Sequence, residues 1–176
     1  MSRSHCYLFA LEIEPLEISK VYDELPQHCT LMHRFWSDMA PEELATKTRQ
    51  LFEQTQQFLL IPGETVELGP RKVRVNEIEF TKELEALHTQ LYQSLNKLNV
   101  EYTAPEWVGA GYKAHSTERK NSKLIHGQGL RCKTVYLIEV EVPGYEHQRI
   151  IREKFTLKGA RSPQQHPKKT LAMSKS

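Results

Sequence analysis

Cysteine is scarce in this chain: Cys6, Cys29 and Cys132 are odd in number and unclustered, and no C-x-x-C pair occurs. That excludes a disulfide framework and a thiolate zinc site, and predicts free thiols in a reducing compartment. Long hydrophobic runs are missing as well. The opening stretch "MSRSHCYLFALEIEP" is broken by Glu12 and Glu14, too short and too charged for a signal peptide or a membrane span, so a cytoplasmic protein with no membrane partner is expected. Nor is there a strong net charge. Lys and Arg number 24 against 22 Asp and Glu, a formal +2. Clustered carboxylates of the kind that two-metal phosphodiester cleavage needs are also lacking, so no metal and no other cofactor is expected.

What is present is ordinary soluble-protein material, 39% hydrophobic and 26% charged over 176 residues, enough for one sizeable core. The charge is unevenly placed. Residues 158–176 carry five basic and no acidic side chains, which leaves 19 basic against 22 acidic in residues 1–157, or −3. The expected organisation is one domain over 1–158 and a basic tail over 159–176, whose Pro, Ser, Gln and Lys content reads as disordered. A second basic segment, residues 113–133, holds six Lys or Arg and one Glu.

Strand and helix signals alternate. "HCYLFALEI" and "HCTLMHRF" read as strands. Pro41 followed by Glu42 and Glu43 suits a helix start, after which Leu44, Leu51, Phe52, Phe58 and Leu59 recur at helical spacing. "ETVEL" and "KVRVNEIEF" flank Gly69-Pro70 as a strand pair, and Thr81 can cap a helix striped with Leu84, Leu87, Leu91, Leu95 and Leu98. After "TAPEWVGAG" comes the short "YKAHST", a basic loop, and a closing hairpin of "TVYLIEVEV" and "RIIREKFTL" around Pro143-Gly144. Paired hairpin strands interleaved with helices predict an α+β fold with largely antiparallel sheets.

The chemistry lies in a repeated spacing. His28 and Thr30 in "HCT" stand two apart, as do His115 and Thr117 in "HST". On a strand such residues share a face, with Cys29 and Leu31, or Ala114 and Ser116, behind them. Eight histidines and twelve threonines would produce about 0.5 such triplets by chance, so the spacing is suggestive and needs context. Two such strands facing one another would surround a phosphate-sized anion with two imidazoles and two hydroxyls. One imidazole can take a proton from water while the other gives one to a departing oxygen, and the hydroxyls can donate to the non-bridging oxygens.

The order of these elements from about residue 5 to 158, with "LPQHCTLMHRF" and "GAGYKAHST" at corresponding points, resembles the two-histidine (2H) phosphoesterase superfamily, which includes 2'-5' RNA ligase-like proteins and cyclic nucleotide phosphodiesterases. The resemblance implies a bilobal monomer with two pseudo-symmetric sheets and flanking helices around a central cleft, and His28, Thr30, His115 and Thr117 as its catalytic residues. It implies hydrolysis, without metal or ATP, of a 2',3'-cyclic phosphate, a 2'-5' linkage or a cyclic nucleotide; the partner is then a nucleotide or an RNA end. The alternative is a non-catalytic RNA- or nucleotide-binding module using the same cleft. Leu31 follows the first motif, whereas Glu118 follows the second, so the second strand is expected to end at Thr117. Tyr112 and Trp107 are candidates for stacking on a base, and Arg119 and Lys120, with Lys123, for contacting phosphate, each against the simpler reading of packing or a solvated loop.

Overall fold

The computed structural model describes residues 3–159; the basic tail expected over 159–176 lies, but for its first residue, outside the described residues. Eleven strands and two helices follow one another as β1 His5–Glu12, β2 Val21–Tyr22, β3 His28–Ser37, α1 Pro41–Gln54, β4 Phe58–Leu60, β5 Pro62–Leu68, β6 Val73–Ile78, α2 Lys82–Lys97, β7 Glu101–Tyr102, β8 His115–Thr117, β9 Leu130–Cys132, β10 Thr134–Val142 and β11 Tyr145–Thr156. Two 3-10 turns, Pro105–Trp107 and Gly109–Gly111, precede β8. The fold is α+β with antiparallel strand pairs throughout the sheets.

Six strands form the larger sheet in the order β2-β11-β10-β1-β3-β7, and β5-β6-β8 form a second, with β4 and β9 as a separate pair. The central strand β1 is buried along nearly its whole length because both faces of the larger sheet are covered. On one face Phe9, Phe35, Leu137 and Phe155 pack with Leu44 and Phe52 of α1 and Leu84, Leu87 and Leu91 of α2. On the other, Leu8, Tyr136, Ile138 and Ile151 are closed off by Leu16 and Leu25 from the loop between β1 and β3.

The helices start as their sequences indicate. Pro41 occupies the first turn of α1 beside Glu42 and Glu43, and the Thr81 hydroxyl accepts from the Leu84 N–H at 3.3 Å to cap α2. One boundary differs from expectation. Phe58 and Leu59 continue the apolar spacing of α1, yet they belong to β4, because Thr55 leaves the helix in an extended conformation and the chain pairs instead with β9. The short strands β2, β7 and β9 carry too few residues to show a period. No helix among the described residues is long and apolar enough to cross a membrane.

Register within β3 departs from simple alternation, and this shapes the site. Ala10 opposes Thr30 but Phe9 opposes Met32, so Leu31 is an extra residue; Tyr7 opposes Phe35, which leaves Leu8 against both His33 and Arg34. Such bulges bend a strand and re-aim its side chains, and they recur next to active sites. Here Leu31 and Met32 both turn into the core, and His33 and Arg34 emerge together on the half-exposed face that already carries His28 and Thr30.

Candidate active site

β7 pairs only with Phe35 and Trp36, so the N-terminal half of β3 has β1 as its one sheet partner. β8, the edge strand of the second sheet, packs beside β3 there without pairing with it. The two H-x-T segments thus come from different sheets and meet at one cleft. It has two adjoining basins. One, of about 260 Å³, is lined by His115, Trp107, Tyr112 and the apolar Leu68, Val73 and Val75. The other, of about 360 Å³, is lined by His28 with Arg34, Arg119 and Arg149 and with the carboxylates Asp23 and Glu24. Thr30, His33 and Thr117 belong to both, and so form the shared wall.

The histidines are held alike. Nδ1 of His28 lies 2.8 Å from the Pro26 carbonyl and Nδ1 of His115 lies 2.7 Å from that of Lys113, in each case two residues earlier. A carbonyl only accepts, so each Nδ1 carries the hydrogen and the lone pair of the neutral ring sits on Nε2. Burial holds His28 below the usual histidine value; the Pro26 bond works against it, and positive charge on His115 and Arg149 adds to the lowering. His28 and Thr30 present one face while Cys29 and Leu31 are fully buried behind them, and β8 ends at Thr117 with Ala114 and Ser116 buried behind.

A polar scaffold sets the two strands against each other. His88, buried in α2, donates from Nδ1 to the Leu31 carbonyl at 2.8 Å and accepts at Nε2 from the Gly109 N–H at 3.0 Å. Its ring stacks on Tyr112 at 3.9 Å and 6°, and the Tyr112 hydroxyl donates to the Thr30 carbonyl at 2.8 Å. The Cys29 thiol, pushed up to about 12 by burial, lies against that hydroxyl and the backbone of His115. Gly109, at φ 61°, makes the turn that aims its N–H at His88. At Gly111 any Cβ would meet the Glu106 carbonyl at 2.0 Å, so the turn leading into β8 can close only with glycine.

The remaining sequence candidates separate. Trp107 lines the His115 basin edge-on to the His115 ring at 6.3 Å, with the Lys113 ammonium 5.9 Å from its own ring centre. Tyr112 lines the same basin but is committed to His88 and Thr30, so its first role is structural. Arg119 reaches the His28 basin while its guanidinium is held by Glu24 and the Leu25 carbonyl. Lys120 lines neither basin; it borders a separate shallow depression with Glu14, Glu24 and Asn121. Lys123 pairs with Glu14 at 4.0 Å. The loop that carries them is latched to the first motif by Gln27, whose buried side chain bonds Ser122 at 2.9 Å and the Lys123 N–H at 3.2 Å.

His33, Arg34 and Arg149 line the cleft and were not expected there from sequence. For His33 the signal was the adjacent apolar pair Leu31-Met32, which breaks the alternation and marks a change of parity; Arg34, six residues from His28, keeps the parity of His28 and Thr30 because the second bulge restores it. Arg149 comes from β11, and nothing local in its sequence points to β3.

No family model and no curated protein matches the chain by sequence. Solved structures do match it. A phosphoesterase aligns at a TM-score of 0.58 and 10% identity over 89% of this chain and 99% of that one. E. coli LigT complexed with NADP+ aligns at 0.59 and 13% over 89% and 99%, and LigT complexed with 3'-AMP at 0.55 and 9% over 87% and 98%. At such identities the likeness is one of fold, and it spans nearly the whole of each neighbour: this chain has the LigT-like fold.

Proposed function

We propose that this chain is a phosphodiesterase of the two-histidine type, acting on a 2',3'-cyclic phosphate, a 2'-5' linkage or a cyclic nucleotide. One observation carries the reading: two H-x-T pairs from separate sheets border a single cleft, each histidine with Nδ1 tied to a carbonyl and Nε2 left for chemistry. The LigT-like fold, in structures that hold the nucleotides NADP+ and 3'-AMP, supports a nucleotide ligand.

The scissile phosphorus sits at the shared wall, its non-bridging oxygens accepting from Thr30 and Thr117. His28, which burial keeps neutral, takes a proton from water at Nε2 as the water oxygen bonds to phosphorus. His115 gives the proton on its own Nε2 to the ribose oxygen as that P–O bond breaks. The products are a phosphomonoester and an alcohol, and the histidines have exchanged protonation states. Positive charge on His115 disfavours it on His28, which adds to burial in suiting His28 to the base role. Of the arginines lining the His28 basin, Arg34 is paired with Glu141 and Arg119 with Glu24. Arg149, bonded to the Asp23 and His147 carbonyls, is therefore the group suited to further negative charge, while Trp107 and the apolar side chains of the other basin suit a base.

The test is a panel of 2',3'-cyclic mononucleotides, cyclic dinucleotides and 2'-5' oligoadenylates incubated with the protein in excess EDTA, with products separated by chromatography. Hydrolysis of one class is expected. Binding without turnover across the panel would leave the non-catalytic module.

A further inference from the structure

His33 is a third imidazole in the cleft, and its setting differs from that of the other two. The second β3 bulge sets it beside Arg34 opposite Leu8, and it borders both basins along with Thr30 and Thr117. Its Nδ1 is buried and, among the described residues, has no hydrogen-bond partner, whereas those of His28 and His115 are each bonded to a carbonyl. No carbonyl therefore fixes its tautomer, and the ring can present either a donor or an acceptor to the cleft. Burial, and then the positive charge of Arg34, hold it below the usual histidine value, with Glu106 opposing. It is a neutral group at neutral pH.

Resting on the reading of the cleft as a nucleotide phosphodiester site, we infer that His33 is a specificity-determining residue that hydrogen-bonds the sugar hydroxyl adjacent to the scissile phosphate. Geometry and chemistry agree on this ligand. A base in the Trp107 basin and a phosphate at the two threonines place the sugar between them, along the wall that His33 shares with both basins. Phosphate oxygens only accept, and Thr30 and Thr117 with, in the wider basin, Arg149 would supply their donors. A hydroxyl both donates and accepts, which an imidazole of unfixed tautomer can match in either sense. The substrate class narrows accordingly. The cleft selects ribonucleotides carrying a free hydroxyl beside the phosphodiester, as in a 2'-5' linkage, over 2',3'-cyclic phosphates, in which both neighbouring oxygens are esterified.

Binding tests this independently of turnover. Calorimetric titration of the full chain with adenosine 2'-monophosphate and with 3'-deoxyadenosine 2'-monophosphate, which lacks the neighbouring hydroxyl, is compared for wild type and His33→Phe, which keeps a ring and removes both nitrogens. A neutral hydrogen bond predicts that wild type prefers the ribonucleotide by about 5- to 10-fold and that the variant binds the two equally. If the phenyl ring does not fit, as judged by circular dichroism, His33→Leu replaces it. A preference of the same size in the variant overturns the inference, as does a wild type that binds the two nucleotides equally or binds neither at millimolar concentration. Turnover of a 2'-5' diadenylate is read separately. Preference for the ribonucleotide without turnover removes the phosphodiesterase reading and leaves the His33 contact standing; turnover without that preference does the reverse.

Discussion

Replacing His88 with Phe tests the scaffold that brings the two motifs together. The phenyl ring can keep the stack on Tyr112, but the Leu31 carbonyl loses its donor and the Gly109 N–H its acceptor. A buried polar group left without a partner costs ~1–3 kcal/mol, and the Gly109 bond is only partly buried, so a total near 3 kcal/mol is expected. For a chain of this size that corresponds to a fall in Tm of roughly 6–12 °C. The same substitution alters the pH dependence. Burial lowers the His88 value in the folded state against the pull of the Leu31 bond, and a proton on Nε2 would oppose the Gly109 N–H. The unfolded chain, with histidines near their ordinary value of about 6.5, takes up a proton that the folded chain refuses. Stability from this group is therefore complete above that value and lost as pH falls below it. Urea unfolding of wild type between pH 7.5 and 5.5 should show stability declining toward acid, and His88→Phe should show a shallower decline, not a flat one, because His28 and His33 are also lowered. A Tm within about 2 °C of wild type, or an unchanged pH slope, would refute the assignment.

Thr30→Val and Thr117→Val should each reduce kcat by ~10–100-fold on the substrate found by the panel, with the pH profile retained, since each removes one hydrogen bond to developing charge and leaves proton transfer in place. Trp107→Ala should raise KM more than it lowers kcat, consistent with loss of a base platform worth ~1–3 kcal/mol, and steady-state kinetics would show the split. Gln27→Ala should release the loop of residues 119–123 from the first motif, and limited proteolysis should then cut there faster than in wild type.

The architecture was readable where periods were long. The stripe from Leu84 to Leu95, the Pro41 start and the Pro143-Gly144 hairpin all lie where sequence placed them, because each rests on local physics that packing does not override. Phe58 and Leu59 misled because an apolar residue at helical spacing also serves a strand edge, and only the partner β9, some 70 residues further on, decides between them. For the site, the two H-x-T segments were visible as strand-face pairs, and β8 ends at Thr117 as the Glu118 signal suggested. His33 was hidden by the first bulge in β3, since a single extra residue inverts which side chains face the cleft, whereas Arg34 shares the parity of His28 and Thr30. His88 was hidden for another reason: one more polar residue on an amphipathic helix carries no local sign that both ring nitrogens are bonded to distant backbone.

The central claim is that His28 and His115 serve one transition state. It is tested most directly by kcat for His28→Ala, His115→Ala and the double variant, measured across pH on the panel substrate. General acid or base assistance contributes ~10²–10⁴-fold, so each single variant should lose about that factor with a smaller change in KM. Wild type should give a bell-shaped profile whose acid limb lies below the ordinary histidine value, because burial opposes protonation of His28. The double variant should fall far short of the product of the two losses. Near-wild-type turnover in either single variant, or losses that multiply in full, would contradict the account.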